Sequence, residues 1–166
     1  EQALKSLPPI PGRLEHIPCD CPGKVFVVYA HTTDAYEKLF SNLTNLTDEK
    51  VSIMVVFGCG GDRDTEKREI MASCADQFSA FSFVTTDNPR TESLEKINAD
   101  IIRGFKGNNY EVILDREKAI YTALDRMNKN TILLVLGKGR EKYQEIGTDK
   151  IPYSDIDIIG QYKHAD

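Results

Sequence analysis

The feature of this chain that most constrains its fold is a repeated alternation between short, almost continuously apolar segments and longer amphipathic ones. The strongest apolar segments are KVFVVYA at residues 24–30, VSIMVVF at residues 51–57 and TILLVL at residues 131–136. Runs of this length, rich in β-branched and aromatic residues, are typical of strands buried on both faces. The alternation therefore predicts an α/β fold, a three-layer Rossmann-like domain in which helices cover both faces of a mostly parallel sheet.

Weaker patterns predict the other elements of this domain. Two further strands are predicted at residues 80–85 and 111–114. Helices are predicted at residues 34–46, 65–78, 94–105, 115–127 and 153–162. Within the second helix, Ile70, Cys74 and Phe78 recur at helical spacing, so we expect these three side chains to face the core.

The length of 166 residues suits one domain with a substantial core and is short for two. The segment LPPIPG at residues 7–12 carries three prolines, which forbid regular helix. We interpret residues 1–12 as a linker or the cut end of a longer chain, and residues 13–166 as the domain itself.

Composition argues against several classes of partner. The net charge of -5, with acids and bases interleaved, argues against nucleic acid or an anionic membrane surface. No apolar run approaches the roughly 18 residues of a membrane span, and the first residues lack the apolar centre of a signal peptide. The four cysteines match no common zinc or disulfide framework. We therefore expect a cytoplasmic protein with reduced thiols and no metal site.

The candidate functional residues follow three of the predicted strands, in GCGGDRD, TTDNPR and GKGRE. The carboxyl ends of parallel strands meet at one edge of the sheet, where ligands bind in such folds. In TTDNPR, Asp87 and Asn88 suit a turn or a helix start, and Pro89 fits the first helical position. That start would put Arg90 in the first helical turn, where a cation opposes the helix dipole, so we expect Arg90 to meet a negative group.

These strand ends combine two cations with two acids. Arg63 and Arg90 supply guanidinium groups, Asp87 and Glu141 supply carboxylates, and Asn88 lies between them in the chain order. An arginine can bind a carboxylate through two parallel hydrogen bonds. The set therefore matches both charges of an amino acid. Taken singly, each feature also has an ordinary interpretation, since Glu141 can be a solvated loop charge and the glycine turn can be purely structural.

Two other chemistries remain open at these positions. The glycines of GCGGDRD leave backbone amides available to an anion at a helix start, as in a Rossmann-like nucleotide binder. The segment is neither G-x-G-x-x-G nor a P-loop, however. Cys59 and His31 offer a thiol and an imidazole near strand ends, as in a nucleophile with its base.

Motifs along most of the chain resemble one family. They are GRLE at residues 12–15, YAHT at 29–32, GCGGDRD at 58–64, DNPR at 87–90, ILDREKAI at 113–120 and GKGREKYQ at 137–144. Together, and in this order, they resemble the Mur ligases, and among them the UDP-N-acetylmuramoyl-tripeptide synthetases, which add the third residue of the peptidoglycan stem peptide. The form DNPR resembles that of the enzymes that select meso-diaminopimelate.

The resemblance implies that the chain is the carboxy-terminal, amino-acid-binding domain of a three-domain ATP-dependent ligase, and that it is catalytically incomplete alone. The amino-terminal domain of such a ligase binds the UDP-sugar, and the central domain binds ATP and Mg. The acyl-phosphate forms on the D-glutamate of UDP-N-acetylmuramoyl-L-alanyl-D-glutamate, and the amine of diaminopimelate attacks it. The implied diaminopimelate contacts are Arg63, Asp87, Asn88, Arg90, Gly137 and Glu141. The residues implied to lie near ATP are Arg13, Tyr29 and His31.

Substrate choice follows from the same comparison of charges. The far end of diaminopimelate carries an ammonium and a carboxylate, whereas lysine carries only the ammonium. Arg90, with Arg63, is expected to bind the extra carboxylate. With lysine bound, a partly buried Arg90 would lose its partner, at a cost of several kcal/mol, on the order of that for breaking a buried ion pair.

The chain departs from the family at a few positions. Val28 stands where the family usually has an aspartate that contacts the nucleotide, Thr33 replaces a proline, and Arg140 replaces a histidine. A valine side chain cannot accept a hydrogen bond from a ribose hydroxyl. The alternative hypothesis is therefore a non-catalytic Mur-ligase-like binding or scaffold module that has lost the use of ATP.

Overall fold

A computed structural model describes residues 14–46 and 50–164 of the chain. The strands are β1 (Glu15–Ile17), β2 (Lys24–Val28), β3 (Ser52–Phe57), β4 (Phe81–Val84), β5 (Tyr110–Val112), β6 (Thr131–Leu136), β7 (Tyr143–Ile146) and β8 (Asp149–Pro152). The helices are α1 (Thr33–Leu46), α2 (Glu66–Phe78), α3 (Leu94–Ile102), α4 (Arg116–Asp125) and α5 (Asp155–Gln161). The predicted linker at residues 1–12 lies outside the described residues.

The centre of the molecule is a six-stranded sheet in the order β1-β2-β6-β3-β4-β5. Strand β1 pairs with β2 antiparallel, and the other five strands are parallel. Helices lie on both faces: α1, α2 and α3 on one, α4 and α5 on the other. The predicted α/β architecture with a mostly parallel sheet is confirmed.

The central parallel strands β2, β3 and β6 are almost entirely apolar because their alternate side chains enter two different cores. In β3, Ile53, Val55 and Phe57 lie in the core beneath α1, α2 and α3, while Met54 and Val56 lie in the core beneath α4 and α5. A strand with a core on each face cannot alternate between apolar and polar residues. This double burial explains why periodicity located these strands so well.

The predicted core face of α2 is partly wrong. Ile70 is 50% exposed, whereas Arg68, Met71, Ala72 and Ala75 are buried. The buried positions follow the spacing i, i+3, i+4 and i+7, which is the normal stripe of a helix packed on a sheet. Apolar periodicity missed this stripe because one of its members, Arg68, is an arginine, and the pattern does not identify a cation as buried.

A small antiparallel hairpin, β7–β8, forms a second sheet of two strands that was not predicted. Every residue of β8 is exposed, so the strand has no apolar periodicity to detect. The hairpin follows the GKGRE segment directly and therefore lies beside the carboxyl edge of the sheet.

Cys19 and Cys21 form a disulfide bond in the turn between β1 and β2, which corrects the expectation of reduced thiols for this pair. Their Cα atoms are 5.4 Å apart, within the span that a disulfide bridges. Cys59 and Cys74 are free. Among the described helices, none has the length and hydrophobicity that crossing a membrane requires.

Candidate functional site

The loops after β3 and β4 are pressed against each other at the carboxyl edge of the sheet. The backbone N–H of Gly61 donates to the carbonyl of Asn88 over 2.9 Å. A β-carbon at Gly58 would lie 2.1 Å from the oxygen of Thr85, and one at Gly61 would lie 1.9 Å from the oxygen of Pro89. The glycines of GCGGDRD are therefore needed for this close backbone approach.

The same geometry argues against an anion at the start of α2. The N–H of Glu66 at this helix end is already bound by the carboxylate of Asp64, at 3.0 Å. Glu66 and Glu69 add negative charge to the first turn. A phosphate would meet three acids here, so the arrangement disfavours the nucleotide-binding interpretation of the glycine turn.

A buried lysine occupies the centre of the site. The side chain of Lys138 has no exposed surface, and its Nζ lies 2.9 Å from Asn88 Oδ1, 3.1 Å from Glu141 Oε2 and 3.8 Å from Asp87 Oδ1. It thereby joins three of the predicted site residues. Lys138 was not among the predicted site residues, although a lysine between two glycines directly after a fully buried strand must lie close to the sheet edge.

Asn88 is held in one orientation by its neighbours. Its Oδ1 accepts from Lys138 and also from the backbone N–H of Glu145, at 2.9 Å, and its Nδ2 donates to Glu141 Oε2 at 3.2 Å. The two donors on one atom and the acceptor on the other fix which end of the amide is the oxygen. The second Nδ2 hydrogen has no partner among the described residues.

Asp87 is the most deeply buried acid of the group. Burial raises the pKa of its carboxyl group, and the nearby cations Arg116 and Lys138 oppose that rise. Gly137, with φ of +111°, leaves room for this carboxylate, because a β-carbon at that position would lie 2.4 Å from Asp87 Oδ2. The Gly137 N–H donates to the carbonyl of Val28 over 3.1 Å.

A second buried cation holds together the strand ends that carry the site. Arg116, the first residue of α4, binds both carboxylate oxygens of Asp155, at 2.9 and 2.8 Å. It also donates to the carbonyls of Thr86, at 3.4 Å, and Leu136, at 2.9 Å. One guanidinium thus ties together the ends of β4 and β6 and the start of α5. Its position as a cation in a first helical turn was the sequence signal that we did not use.

The backbone around Arg90 differs from the prediction. Helix α3 begins at Leu94 with Ser93 as its cap, so Arg90 lies in the loop before it, with φ of +52°. Its N–H donates to the carbonyl of Glu145 over 3.1 Å, and its carbonyl accepts from Gly147 over 2.8 Å. The helix starts at Leu94, as its apolar periodicity predicted, and residues 87–89 form the turn rather than the helix start that would have put Arg90 in the first helical turn. The hairpin binds both the N–H and the carbonyl of Arg90, through Glu145 and Gly147.

The Arg90 side chain reaches over the glycine turn. Its Nη1 donates to the carbonyl of Gly61 over 2.8 Å, and its Nε lies 2.7 Å from Glu145 Oε2. The side chain is 22% exposed. Arg63 is exposed and borders the same glycine turn, since a β-carbon at Gly60 would lie 3.0 Å from Arg90 Nη1 and 3.8 Å from Arg63 Cγ.

Strand β7 of the hairpin contributes two more residues to the site, and neither was predicted from the sequence. Gln144 Nε2 donates to the backbone carbonyl of Asp87 over 2.6 Å. Lys138 Nζ lies 5.9 Å from the ring centre of Tyr143, within the range of a cation–π contact. The predicted residues Asp87, Asn88, Gly137 and Glu141 are therefore in contact around Lys138, and Arg90 is connected to them through Glu145.

The residues predicted to lie near ATP follow β2. Tyr29 is 50% exposed, and its ring centre lies 4.6 Å from that of His31. A β-carbon at Gly139 would lie 2.7 Å from Tyr29 Cβ, so this aromatic pair borders the GKG turn. Arg13 lies outside the described residues.

The burial of Cys59 argues against a thiol–imidazole pair. Cys59 is buried, and burial raises the pKa of its thiol to about 12. The thiol is therefore neutral and a poor nucleophile near pH 7. Among the residues that the structure describes, no group of three or more histidine, cysteine or acidic side chains is arranged to hold a metal ion.

Comparison with known proteins is consistent across sequence and structure. The family model described as Mur ligase, glutamate ligase domain, matches residues 12–139. A UDP-N-acetylmuramoyl-L-alanyl-D-glutamate–2,6-diaminopimelate ligase of Rickettsia typhi is 39% identical over 161 residues, which cover 97% of this chain and 32% of that protein. The chain thus spans about a third of the length of the curated relatives that it matches.

Solved structures agree with this similarity. A structure of UDP-N-acetylmuramoyl-L-alanyl-D-glutamate–2,6-diaminopimelate ligase superposes with a TM-score of 0.82 at 34% identity, and the match covers 95% of this chain and 32% of that one. Mycobacterium tuberculosis folylpolyglutamate synthase, complexed with ADP and AMPPCP, superposes with a TM-score of 0.58 at 21% identity over 76% of this chain and 29% of that one. The second likeness shows a shared fold only.

Proposed function

Since the chain belongs to the Mur ligase family, we propose that it is the carboxy-terminal, amino-acid-binding part of an ATP-dependent ligase that adds meso-diaminopimelate to UDP-N-acetylmuramoyl-L-alanyl-D-glutamate in peptidoglycan synthesis. In this proposal the domain presents the amino acid, and the chemistry of activation belongs to an amino-terminal and a central domain of the same ligase. The proposed ligand contacts are Arg63, Asp87, Asn88, Arg90, Gly137 and Glu141.

The observation that carries the proposal is the joint position of Arg90 and the Asp87–Asn88–Glu141 group at one rim of the sheet. Three N–H groups of Arg90 have no partner among the described residues, and the side chain is partly exposed. The carboxylates of Asp87 and Glu141 both lie beside Lys138, and Glu141 is partly exposed, so the rim offers negative charge on this side. A ligand with a carboxylate and an ammonium complements this distribution, because each of its charges finds the opposite sign.

Catalysis in this proposal depends on positioning. The amine of diaminopimelate must be held close to the acyl-phosphate on the D-glutamate of the precursor, and fixed orientation can lower the barrier by several kcal/mol, on the order of 7 or more in well-oriented systems. The residues of this chain contribute by fixing the ligand. Asn88 and Glu141 are themselves held by Lys138, so they form a rigid receptor rather than a flexible one.

ATP and Mg enter this proposal as ligands held mainly by the central domain. When bound, ATP would supply the phosphoryl group that activates the D-glutamate carboxylate. The exposed Tyr29–His31 pair, next to the GKG turn, is the part of this chain that fits a neighbouring nucleotide, because an aromatic face can stack on a base.

The test is the substrate preference of the intact ligase that contains this chain. We expect phosphate release to require both the UDP-dipeptide and meso-diaminopimelate. Arg90→Ala should lower kcat/KM for diaminopimelate by roughly 10- to 100-fold, the effect of losing hydrogen bonds to a charged group, and should change turnover of lysine much less. Arg126→Ala, which removes an exposed arginine at the far end of α4, is the matched control. An Arg90→Ala ligase that keeps the full preference for diaminopimelate would refute the role assigned to Arg90.

One observation favours a second candidate function, a non-catalytic binding or scaffold module. The side chain of Val28 is buried in the core beneath α1, α2 and α3. The end of β2 therefore presents no carboxylate where the family usually has an aspartate. If ATP use has been lost, the wild-type intact protein should show no turnover, and Val28→Asp should not restore it. Normal turnover by the wild-type protein would eliminate this candidate.

A further inference from the structure

Arg90 has an acidic partner within this chain before any amino acid binds. Glu145 Oε2 lies 2.7 Å from Arg90 Nε, and the carbonyl of Gly61 accepts from Arg90 Nη1 over 2.8 Å. The expectation that lysine would leave Arg90 without a partner is therefore wrong. The direction in which the remaining N–H groups of Arg90 point then matters more, because a hydrogen bond weakens steeply when donor and acceptor are misaligned.

Two residues other than glycine adopt left-handed backbone where the loops after β3 and β4 meet. Asp62 has a φ of +54°, and Arg90 has a φ of +52°. This conformation is unfavourable for a residue that carries a β-carbon, and it persists only where the surrounding contacts determine it. Each loop must therefore be held by specific partners.

The peptide unit between Gly61 and Asp62 is held at both ends. Its carbonyl oxygen accepts from Arg90 Nη1, and its N–H donates to Glu92 Oε2 over 3.1 Å. Glu92 is itself bound through both carboxylate oxygens by the buried side chain of Arg68. The oxygen that orients the Arg90 guanidinium is thus connected through one peptide unit to a firmly held ion pair.

The peptide unit between Arg90 and Thr91 is held in the same way. Its carbonyl oxygen accepts from the N–H of Gly147 over 2.8 Å, and its N–H donates to Asp62 Oδ2 over 3.0 Å. The Thr91 hydroxyl lies 2.9 Å from Oδ2 and 3.1 Å from Oδ1 of the same carboxylate. These hydrogen bonds lower the pKa of the Asp62 carboxyl group. Asp62 therefore binds Arg90 twice, through the backbone that follows it and through its side chain.

We propose that Asp62 and Thr91 are positioning residues, which set the direction of the Arg90 guanidinium by locking the loop after β3 to the loop after β4. This inference rests on the proposed function, in which Arg90 binds a carboxylate of the amino acid. Asp62 and Thr91 themselves need no contact with the ligand. Both side chains are exposed, so replacing either one leaves the core intact and acts on this joint between the loops.

The experiment compares kcat/KM of the intact ligase for meso-diaminopimelate and for lysine, which lacks the far carboxylate. Thr91→Val removes the hydroxyl at nearly constant volume. We expect it to lower kcat/KM for diaminopimelate about fivefold, mainly through KM, and kcat/KM for lysine less than about twofold. Thr91→Ser keeps the hydroxyl and should restore the wild-type values. The matched control is Thr122→Val in α4, whose hydroxyl donates to the carbonyl of Lys118, and it should change neither substrate.

Two further variants separate positioning from a general effect on the loop. In an Arg90→Ala ligase, adding Thr91→Val should lower kcat/KM for diaminopimelate less than about twofold, because the side chain that Thr91 positions is gone. Asp62→Gly removes the carboxylate, while glycine adopts a positive φ without strain. We expect it to lower kcat/KM for diaminopimelate about 10-fold, because three hydrogen-bond contacts to Thr91 are lost. Thermal unfolding of the 166-residue chain verifies that each variant is folded.

The possible results are distinct. A folded Thr91→Val or Asp62→Gly ligase with the wild-type preference for diaminopimelate over lysine would overturn the inference. A Thr91→Val effect of full size in the Arg90→Ala ligase would also overturn it, since the hydroxyl would then act elsewhere. A wild-type ligase that does not use diaminopimelate at all would instead overturn the proposed function.

Discussion

The ammonium of Lys138 donates a hydrogen bond over 2.9 Å to the side-chain oxygen of Asn88, and the bond is fully buried. The two residues lie 50 positions apart, at the ends of different strands. The same ammonium is the only cation within 4 Å of Glu141 among the described residues, and it also faces Asp87. One buried positive charge therefore keeps two neighbouring acids and an amide in a single arrangement.

Replacing this lysine is expected to destabilise the fold. Lys138→Met keeps much of the volume and removes the charge, which leaves Glu141 without its cation and Asp87 with Arg116 alone. Breaking a buried ion pair in this way costs about 3–5 kcal/mol near pH 7. The loss of the cation raises the pKa of Asp87 further, so the deficit should shrink as the pH falls and the carboxyl group becomes neutral.

Urea unfolding of the 166-residue chain at several pH values measures this effect. The control is Lys129→Met, which removes an exposed lysine and should change the free energy of unfolding by less than about 0.5 kcal/mol. A Lys138→Met chain as stable as the wild type at pH 7 would show that the buried ammonium is dispensable.

The Arg116–Asp155 pair should behave as one unit. Its side chains are 1% and 0% exposed, so Arg116→Met or Asp155→Asn alone should cost about 3–5 kcal/mol by leaving a buried charge or polar group unmatched. The double variant Arg116→Met/Asp155→Asn should cost clearly less than the sum of the two single changes. The exposed pair Arg126–Glu111 serves as a control, with single changes within about 1 kcal/mol. Additive effects at Arg116 and Asp155 would contradict the proposed coupling.

The parts of the fold that the sequence predicted well are those governed by local patterns. Residues 131–136 form a strand as predicted, because all six side chains enter the two cores of a parallel sheet. The start of α4 at Arg116 follows its cap, Asp115, whose side chain accepts from the N–H of Lys118. Polar residues at the carboxyl ends of β3, β4 and β6 were expected at one rim, because parallel strands bring those ends together.

The parts that could not be predicted depend on contacts between distant residues. Arg116 and Asp155 lie 39 positions apart, and neither helical nor strand periodicity identifies a cation as buried. The left-handed backbone of Arg90 is accompanied by its hydrogen bonds to Glu145 and Gly147 in the β7–β8 hairpin. Strand β8 of this hairpin is fully exposed and has no hydrophobic pattern. The residue types therefore predicted the chemistry of the site, whereas the positions of Lys138 and Glu145 could be found only in the structure.

Gly137 should tolerate no side chain. Its φ is +111°, and a β-carbon there would lie 2.4 Å from Asp87 Oδ2, so Gly137→Ala strains the backbone and displaces the buried carboxylate. We expect a loss of at least about 2 kcal/mol in the free energy of unfolding, together with weaker binding of the amino acid. Gly160→Ala, in α5 with open space around it, should instead stabilise by up to about 1 kcal/mol. Denaturant unfolding of both variants measures the contrast, and equal stabilities would contradict this account of Gly137.

The Arg68–Glu92 pair predicts how stability responds to acid. Arg68 is fully buried and binds both oxygens of Glu92, at 2.9 and 2.6 Å, while it also donates to the carbonyl of Gly60 over 3.1 Å. Its hydrogen bonds lower the pKa of Glu92 to about 2, and the N–H of Asp62 adds a further contact. Because the folded pKa is lower than the unfolded value of about 4.3, the pair stabilises the fold fully above the unfolded value.

That stabilisation should disappear as the pH falls from about 4.3 towards 2. The difference in unfolding free energy between wild type and Glu92→Gln should be constant near neutrality and then shrink by up to about 1.4 kcal/mol per pH unit, the limit for one proton. The neighbouring exposed Glu95, changed to glutamine, controls for the general effect of removing an acid. Denaturant unfolding from pH 7 to pH 2 measures both differences. A Glu92→Gln difference that stays constant throughout this range would mean that Arg68 does not hold Glu92 ionised, and that the glycine turn is supported by other contacts.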